Sequence, residues 1–386
     1  MKLLFVCNNL HIGGIQKSLV NLLEEISDKH DVTLFLFYPH GELENHIPGN
    51  VRIICGNKFT RIMGMSQAEA KKEGSFAFLW RSKYAVLTKL FGIGFTFGRL
   101  SRMQKLEEEY DAAISFMQNS AYKMFYGGCN EFVINSVRAK RKITFVHCDF
   151  ENYFGNNPYN RGFYEKFDKI ACVSDSCKTV FDRACPNCAE KTVSVHNCCN
   201  FTEMEALRGA YHANHTEDAV NIFTASRLSE EKGIMRMFPI LEELKKEGLK
   251  FVWRIAGDGP LYNDAAAARE RCGLSDEVEF LGMLENPYPY FATSDMLLVP
   301  SYNEAAPMVF GEAAFFGLPV LTTDTTSAYE LVENTGGGFV CKNSDESIKE
   351  ELKKLLEDPA IISEKAKGIN ISNEKALEEF ESLIKF

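Results

Sequence analysis

Short apolar runs alternate with helical stretches along this chain, and this alternation restricts the fold class more than any other feature. The predicted strands of the first half are the apolar runs at 3–7, 32–37, 51–54, 112–116, 143–146, 169–173 and 192–195. Strands separated by helices are typical of a parallel sheet covered on both faces. The pattern breaks at 195–200 and restarts with a strand at 222–225. We therefore predict an α/β protein with two Rossmann-like domains.

Length and composition agree with this division. A chain of 386 residues is too long for one ordinary core, and 45% hydrophobic with 25% charged residues is typical of a globular protein. The net charge of −10 argues against nucleic acid as the main partner. The apolar segment 2–7 is too short for a signal peptide. We therefore expect a cytoplasmic protein with mostly reduced thiols.

Four of the twelve cysteines leave a second interpretation open. Cys185 and Cys188, followed by the adjacent pair Cys198 and Cys199, offer four thiolates to a structural zinc ion. Adjacent cysteines rarely both reach one tetrahedral metal, so ordinary free thiols are the favoured interpretation.

The segment 299–330 carries the strongest signal of a binding site. An apolar run ending at residue 300 predicts a strand, and residues 308–316 predict a helix. Glu304 then lies in the loop and Glu312 in the helix, so both carboxylates can reach one ligand from one side. The amides that open the helix belong to Ala305, Ala306 and Met308. Amides at a helix start bind anions, and carboxylates beside them suit a nucleotide sugar; two solvated surface glutamates are the alternative.

Other candidate residues follow predicted strands, at the edge where parallel sheets bind ligands. Arg227 and Lys232 follow the strand at 222–225, and two cations beside free amides form an anion site. His147 follows the strand at 143–146, where a structural histidine is about as common as a functional one. Glycines in such loops let a ligand approach the backbone. These glycines are Gly13, Gly14, Gly257 and Gly259.

The segment 71–105 departs from the alternation, with eight Lys or Arg, one acidic residue and many aromatics. No uncharged stretch in it approaches the ~20 residues that a membrane span needs. Basic and aromatic residues on an amphipathic segment suit an anionic membrane surface, and a helical hairpin packed on the sheet is the alternative. The predicted patch consists of Arg81, Lys83, Lys89, Arg99 and Arg102. A second basic cluster, 138–142, is expected near His147, where it suits an acceptor phosphate.

The stretch from Pro300 to Val320 resembles the frame P-S-x-x-E-x-x-P-x-V-x-x-E-A-x-x-x-G-x-P-V of the family 4 glycosyltransferases. The positions that fit are Pro300, Ser301, Glu304, Pro307, Val309, Glu312, Ala313, Gly317, Pro319 and Val320. The residues from Arg227 to Gly233 match the family's R-L-x-x-x-K-G motif. The resemblance implies the GT-B fold, in which two Rossmann-like domains face a central cleft. It is specific over the second half of the chain and topological over the first.

The resemblance also implies a role for each candidate residue. Arg227 and Lys232 neutralise the leaving diphosphate. Glu304 holds sugar hydroxyls, Glu312 holds the ribose, and His147 lies near the sugar or the acceptor. The implied donor contacts are Gly13, Gly14, Gly257, Gly259, Met283, Ala305, Ala306, Pro307, Met308, Val309 and Glu312.

The activity implied by the resemblance is that of a retaining glycosyltransferase. It moves a hexose or N-acetylhexosamine from an NDP-sugar, with UDP favoured, to a lipid-linked or polysaccharide acceptor through an α-linkage. The NDP-sugar is a co-substrate and no cofactor is expected; the sequence has no D-x-D motif, so no metal is expected. A nucleotide-sugar epimerase of GT-B fold and a non-catalytic subunit that binds sugar nucleotides are the alternatives.

The predicted division has three parts. An N-terminal acceptor-binding domain covers 1–197, a nucleotide-sugar-binding domain covers 198–368, and a final helix within 369–386 returns to the first domain. We expect the protein to be peripheral on the inner face of the cell membrane, because the acceptors of the family are often lipid-linked.

Overall fold

The computed structural model describes residues 1–385 and divides into two units, each built on one sheet. The first unit comprises residues 1–198 and 373–385, and the second is Cys199–Ser372. The strands are β1 (Lys2–Cys7), β2 (Asp31–Leu36), β3 (Arg52–Cys55), β4 (Glu109–Ser115), β5 (Arg138–Val146), β6 (Lys169–Cys172), β7 (Thr192–Ser194), β8 (Val220–Ala225), β9 (Phe251–Ala256), β10 (Val278–Gly282), β11 (Met296–Val299), β12 (Val320–Thr323) and β13 (Gly338–Cys341). The helices are α1 (Gly14–Ile26), α2 (Gln67–Glu73), α3 (Ser75–Phe91), α4 (Ile93–Leu100), α5 (Cys129–Ser136), α6 (Pro158–Tyr164), α7 (Asp175–Ala184), α8 (Phe201–Leu207), α9 (Ile234–Lys246), α10 (Tyr262–Arg271), α11 (Tyr288–Thr293), α12 (Met308–Phe315), α13 (Asp345–Glu357), α14 (Ala360–Ala366) and α15 (Glu374–Ile384).

The first unit contains seven parallel strands in the order β3-β2-β1-β4-β5-β6-β7. β1 is the third strand, with Val6 opposite Phe35 of β2 on one side and Ser115 of β4 on the other. The Phe35 ring stacks on Phe132 of α5 at 4.3 Å, which buries one face of the sheet. Because the strands are parallel, the loops that follow β1, β4 and β5 lie at one edge of the sheet, and His147 is in the last of them.

The second unit contains six parallel strands in the order β10-β9-β8-β11-β12-β13. Helices α9, α10, α13 and α14 pack against one apolar cluster, and α8, α11 and α12 pack against the other. Trp253 of β9 is fully buried, and its Nε1 donates to the Thr224 hydroxyl at 2.9 Å. That hydroxyl donates to the Leu298 carbonyl at 2.7 Å, so one polar chain joins β9, β8 and β11 inside the core. Two Rossmann-like units of the α/β class are confirmed.

Strand β5 begins earlier than predicted, and this changes the place of one basic cluster. The predicted strand was 143–146, whereas β5 begins at Arg138. Residues 138–142 therefore form the amino end of β5, while His147 follows its carboxyl end. Lys140 pairs there with Asp111 at 2.7 Å. The prediction that this cluster lies beside His147 is wrong, because the cluster extends the strand.

The cationic segment 71–105 folds largely into helices α2, α3 and α4. Trp80 of α3 stacks on Phe76 at 5.9 Å and contacts Tyr84 edge-on at 5.0 Å. Its indole N–H donates to the Phe59 carbonyl at 3.3 Å, so this aromatic belongs to the packing of the unit. Within residues 1–385 no helix has both the length and the apolarity that crossing a bilayer requires.

The geometry also bears on the zinc alternative. Cys185, Cys188 and Cys198 are buried free thiols. In the part of the chain that the structure describes, no group of three or more metal-ligating side chains includes these residues or Cys199. The four cysteines therefore do not assemble a tetrahedral site.

We expect Thr224→Val to lower the free energy of unfolding of the second unit by about 1–3 kcal/mol, because the Trp253 N–H loses its acceptor inside the core. Urea titration followed by tryptophan fluorescence measures the change. Thr335→Val replaces an exposed threonine and is the control, with an expected change within about 0.5 kcal/mol. Equal stabilities of the two variants would contradict the role of this polar chain.

Candidate functional site

Three loops pack together at the carboxyl edge of the second sheet. They are 226–233 after β8, 257–261 after β9 and 300–307 after β11. Leu228 donates its N–H to the Asp258 carbonyl and accepts from the Leu261 N–H, both at 3.0 Å, which joins the first two loops. The Tyr302 N–H donates to the Glu231 carbonyl at 2.8 Å, which joins the first loop to the third. The candidate residues of the second unit are carried by these loops and by α12.

An ion pair joins two of the predicted catalytic residues. Lys232 Nζ donates to Glu304 Oε1 at 2.6 Å, and the Ser301 hydroxyl donates to the same oxygen at 2.8 Å. The Lys232 and Glu304 side chains are 25% and 10% exposed, so water reaches the pair only in part. The structure therefore places the Lys232 amine against the Glu304 carboxylate. A ligand that carries a matching charge or polar group can take the place of either one.

Arg227 lies in the same loop as Lys232 but is not part of this contact. Its side chain is exposed, and it forms no ion pair with any described residue. An exposed guanidinium can bind an anion from solvent. The structure thus shows one predicted cation held by a carboxylate and the other open to solvent.

Helix α12 presents main-chain amides without a capping side chain. Its N-cap residue is Pro307, which has no side-chain oxygen, and the helix begins at Met308. Ala305 and Ala306, in the loop before it, are half-buried, as are Pro307 and Val309. Glu312 lies in the second turn and is buried, with 4% of its surface exposed. The start of α12 therefore lacks a side-chain cap, and the anion site expected there stays a prediction.

The glycines of the second loop are explained by packing within the unit. A Cβ at Gly257 would lie 1.9 Å from the Ser226 carbonyl oxygen, and one at Gly259 would lie 2.4 Å from the Leu228 carbonyl oxygen. A side chain at either position would separate the loops. The Met283 side chain follows β10 and is 62% exposed.

The glycine pair of the first unit has a different environment. Gly13 is the N-cap residue of α1, in extended conformation, and Gly14 is the first residue of the helix. A Cβ at Gly13 would meet only the flexible end of Gln16, and one at Gly14 would have no atom within 4 Å. Packing does not require glycine at position 14, so the open backbone there remains available to a ligand.

His147 is held in an apolar setting that keeps it neutral. The Phe116 and Phe145 rings lie 4.8 and 5.7 Å from the imidazole, and the His147 main-chain N–H donates to Gln118 Oε1 at 3.2 Å. Nε2 is buried and has no hydrogen-bond partner among the described residues. Burial lowers the pKa of His147 to about 3, opposed in part by a hydrogen bond to the Phe116 main chain. The ring can offer a ligand one neutral hydrogen bond but not a positive charge.

One buried acid in the first unit was missed in the sequence. Glu131, in the first turn of α5, accepts hydrogen bonds from Asn119 Nδ2 and the Tyr159 hydroxyl, both at 3.2 Å. Burial raises its pKa to about 7. No pattern marks it, because acidic residues at helix starts are normally exposed.

The predicted basic patch is only partly exposed. Arg81 is half-buried, and it donates to the Met65 carbonyl at 2.7 Å and to Gln67 Oε1 at 2.6 Å. The exposed members are Lys83, Lys89, Arg99 and Arg102.

An apolar stripe runs along α3 beside two of these bases. Its members and their exposed fractions are Phe76 (51%), Leu79 (65%), Val86 (57%) and Leu90 (65%). Together with Lys83 they recur every three or four residues, and so they share one face of the helix.

Comparison with known proteins finds a family-model match in the second unit. Residues 212–374 match the family model described as Glycosyl transferases group 1. This segment contains Arg227, Lys232, Glu304 and Glu312.

Two curated relatives illustrate the range of similarity. The chain is 31% identical over 123 residues to the putative glycosyltransferase EpsF of Bacillus subtilis, a match that covers 32% of this chain and 31% of EpsF. The chain therefore matches about a third of the length of that relative. A second match, 21% identical over 381 residues, covers 93% of this chain and 89% of the GalNAc-alpha-(1->4)-GalNAc-alpha-(1->3)-diNAcBac-PP-undecaprenol alpha-1,4-N-acetyl-D-galactosaminyltransferase of Campylobacter jejuni.

A solved structure resembles the whole chain. HepE of Anabaena in complex with UDP-glucose superimposes with a TM-score of 0.68 at 18% identity, covering 99% of each chain. A likeness at this identity shows the fold. The GT-B fold is confirmed, and the match to the Glycosyl transferases group 1 model lies almost entirely within its second unit.

We expect His147 to make stability depend on acid. Folding lowers its pKa to about 3, whereas an unfolded histidine titrates near ~6.5. Between these values the unfolded chain binds the extra proton, so this contribution is intact above about pH 6.5 and is lost as pH falls toward 3. The free energy of unfolding of His147→Asn relative to the wild type should therefore rise from pH 7 to pH 4.5. Urea titrations at several pH values measure it, and parallel profiles would refute the buried neutral ring.

Proposed function

We propose that this protein is a retaining glycosyltransferase of family 4 that moves a hexose or N-acetylhexosamine from an NDP-sugar to a lipid-linked or polysaccharide acceptor. The donor's α configuration is kept in the product. The observation that carries the proposal is the Lys232–Glu304 contact at 2.6 Å, four residues before α12, within the segment that matches the Glycosyl transferases group 1 model.

The proposed chemistry follows from the charges at this point. Breaking the anomeric bond leaves negative charge on the diphosphate. On donor binding, Lys232 exchanges Glu304 for this diphosphate, and Arg227 with the amides that open α12 adds further positive charge. Groups placed where charge develops stabilise the transition state more than the ground state. Glu304, released from the amine, then accepts hydrogen bonds from sugar hydroxyls.

The remaining candidate residues bind parts of the two substrates. Glu312 holds the ribose, and Met283 with the loop of Gly257 and Gly259 bounds the base. In the first unit, the open backbone at Gly14 and the neutral Nε2 of His147 contact the acceptor. UDP is the favoured nucleotide, because the Anabaena neighbour was solved with UDP-glucose. A lipid-linked acceptor is favoured by the Campylobacter relative, whose name specifies PP-undecaprenol.

We also propose that transfer needs no divalent metal. Two cationic side chains and a set of helix-start amides supply the positive charge that a metal ion gives a diphosphate in other enzymes. Chelation tests this directly, since activity in excess EDTA should equal activity without it. Loss of activity that Mg²⁺ or Mn²⁺ restores would contradict this part of the proposal.

The apolar stripe of α3 is proposed to dock on an anionic membrane surface. Four exposed apolar side chains share one face with Lys83, and Lys89 lies beside them. Apolar side chains enter the lipid boundary while lysines bind anionic head groups, so the two contributions act together. The charge distribution favours an anionic partner. The protein as a whole has a net charge of −10, yet Lys83 and Lys89 lie beside the exposed apolar side chains. Such docking would bring the first unit to a lipid-linked acceptor.

We expect Lys232→Ala to lower kcat about 10²–10³-fold, because the departing diphosphate loses a preorganised cation. Release of UDP from a panel of UDP-sugars, with and without a lipid-linked acceptor, measures the rate. Lys250→Ala removes an exposed lysine of the same unit and should keep wild-type activity. Interconversion of the donor sugar without UDP release would favour an epimerase. Binding of every donor without any reaction would favour a non-catalytic subunit.

We expect a Leu79→Ser and Leu90→Ser double variant to bind vesicles containing phosphatidylglycerol at least about tenfold more weakly, because two exposed leucines leave the lipid boundary. Lys83→Glu with Lys89→Glu should weaken binding to anionic vesicles as well. Co-sedimentation measures both, and Ile53→Ser, at an exposed position of β3, is the control. Equal binding by wild type and both variants would refute the docking face.

A further inference from the structure

A buried arginine follows Lys232 in the chain, and its hydrogen bonds go to residues other than the Lys232–Glu304 pair. Arg236 is in the first turn of α9, four residues after Lys232, and only 6% of its surface is exposed. Its Nε donates to Asp345 Oδ1 at 2.7 Å, and its Nη1 donates to Asn343 Oδ1 at 2.6 Å. The guanidinium therefore binds two side chains of the segment 343–345, which ends at the first residue of α13.

That segment in turn holds the loop of Glu304. Asn343 Nδ2 donates to the Tyr302 carbonyl at 3.0 Å, and the Asn343 main-chain N–H donates to Asp324 Oδ1 at 2.8 Å. The Tyr302 ring lies over the Arg236 guanidinium, with 4.3 Å between Cζ and the ring centroid. Arg236 thus contacts Tyr302 directly through the ring and indirectly through Asn343.

Tyr302 is fixed on its other side by the turn that carries Lys232. Its N–H donates to the carbonyl of Glu231, the residue before Lys232, at 2.8 Å. Both main-chain polar groups of Tyr302 are therefore held, one by the turn and one by the side chain that Arg236 binds. Glu304 is two residues further along the same loop, so the position of Tyr302 limits where its carboxylate can lie.

We propose that Arg236 is a positioning residue that clamps the Glu304 loop, through Asn343 and Tyr302, against the turn that carries Lys232. The proposal rests on the function proposed above for Lys232 and Glu304. Preorganisation of this kind matters because displacement of a catalytic group by about 1 Å can lower a rate by about 100-fold.

Stability alone does not require an arginine at this position. Burying a charge costs solvation, and apolar side chains of similar volume often replace buried ion pairs without loss of stability. The Asp345 side chain is 54% exposed, so water can solvate it when the arginine is removed. A planar guanidinium is suited to the position, because it can donate to two acceptors while it stacks on a ring.

The first experiment measures the clamp without any enzymatic assay. Deuterium uptake by peptides covering 300–307 should rise in Arg236→Met and Asn343→Ala, because Tyr302 is no longer held on one side. Arg254→Met is the matched control: Arg254 is 4% exposed and bonds Glu279, Asn221 and Thr216, so uptake over 300–307 should stay at the wild-type level. Unchanged uptake in both clamp variants would overturn the proposal. Asn343→Ala keeps the test decisive if Arg236→Met fails to fold.

The second experiment asks whether the clamp acts through Lys232. In the wild-type background Arg236→Met should lower kcat about 100-fold with little change in the KM for the UDP-sugar. Arg236→Lys should lower kcat almost as much, because lysine lacks the planar guanidinium. In the Lys232→Ala background Arg236→Met should lower kcat almost no further, because the effects of residues that act as a unit are not additive. Equal losses in both backgrounds would overturn the positioning role.

The two experiments separate the clamp from the function on which it rests. Wild-type protein that releases UDP from no donor would contradict the proposed function. Deuterium uptake over 300–307 would still decide whether Arg236 holds the loop.

Discussion

The close packing of one loop backbone against another is the constraint on which the candidate site depends. A Cβ at Gly233 would lie 2.0 Å from the Pro300 carbonyl oxygen, and Gly233 has a φ of +66°. Only glycine satisfies both conditions without strain, so the turn after β8 lies directly against the end of β11. Because these two segments pack directly against each other, the side chain before Gly233 and the one in the loop after Pro300, Lys232 and Glu304, meet at hydrogen-bond distance.

The electrostatic consequence is that the positive and negative charges of the two residues offset each other within the protein. The amine of Lys232 and the carboxylate of Glu304 neutralise each other in a setting that is mostly shielded from water. A buried charge without a partner would cost several kcal/mol, so the pair is a stable resting arrangement. A ligand with a phosphate and hydroxyl groups can replace each partner by a group of matching charge or polarity. The clamp formed by Arg236 would keep both residues in place during this exchange.

The candidate residues of the first unit differ from those of the second in that they carry no charge. Its candidate residues are open glycine backbone at Gly14 and a neutral imidazole at His147, neither of which adds charge. Exposed basic side chains of this unit lie elsewhere, among them Lys83 and Lys89 on α3 and Lys140 near the amino end of β5.

The α/β class, the succession of strands and helices, and the short motifs could be predicted from the sequence, because each depends on residues close together in the chain. The helix predicted at 308–316 is Met308–Phe315, and the loop positions of Lys232 and Glu304 follow from the same local patterns. Only the tertiary structure decided that these two residues, 72 positions apart, form an ion pair, that Arg236 contacts the Tyr302 ring, and that Arg81 is bound within its own unit. Contacts of this kind depend on which strands are neighbours and on which side chains lose water. Neither is encoded in the spacing of residues along the chain.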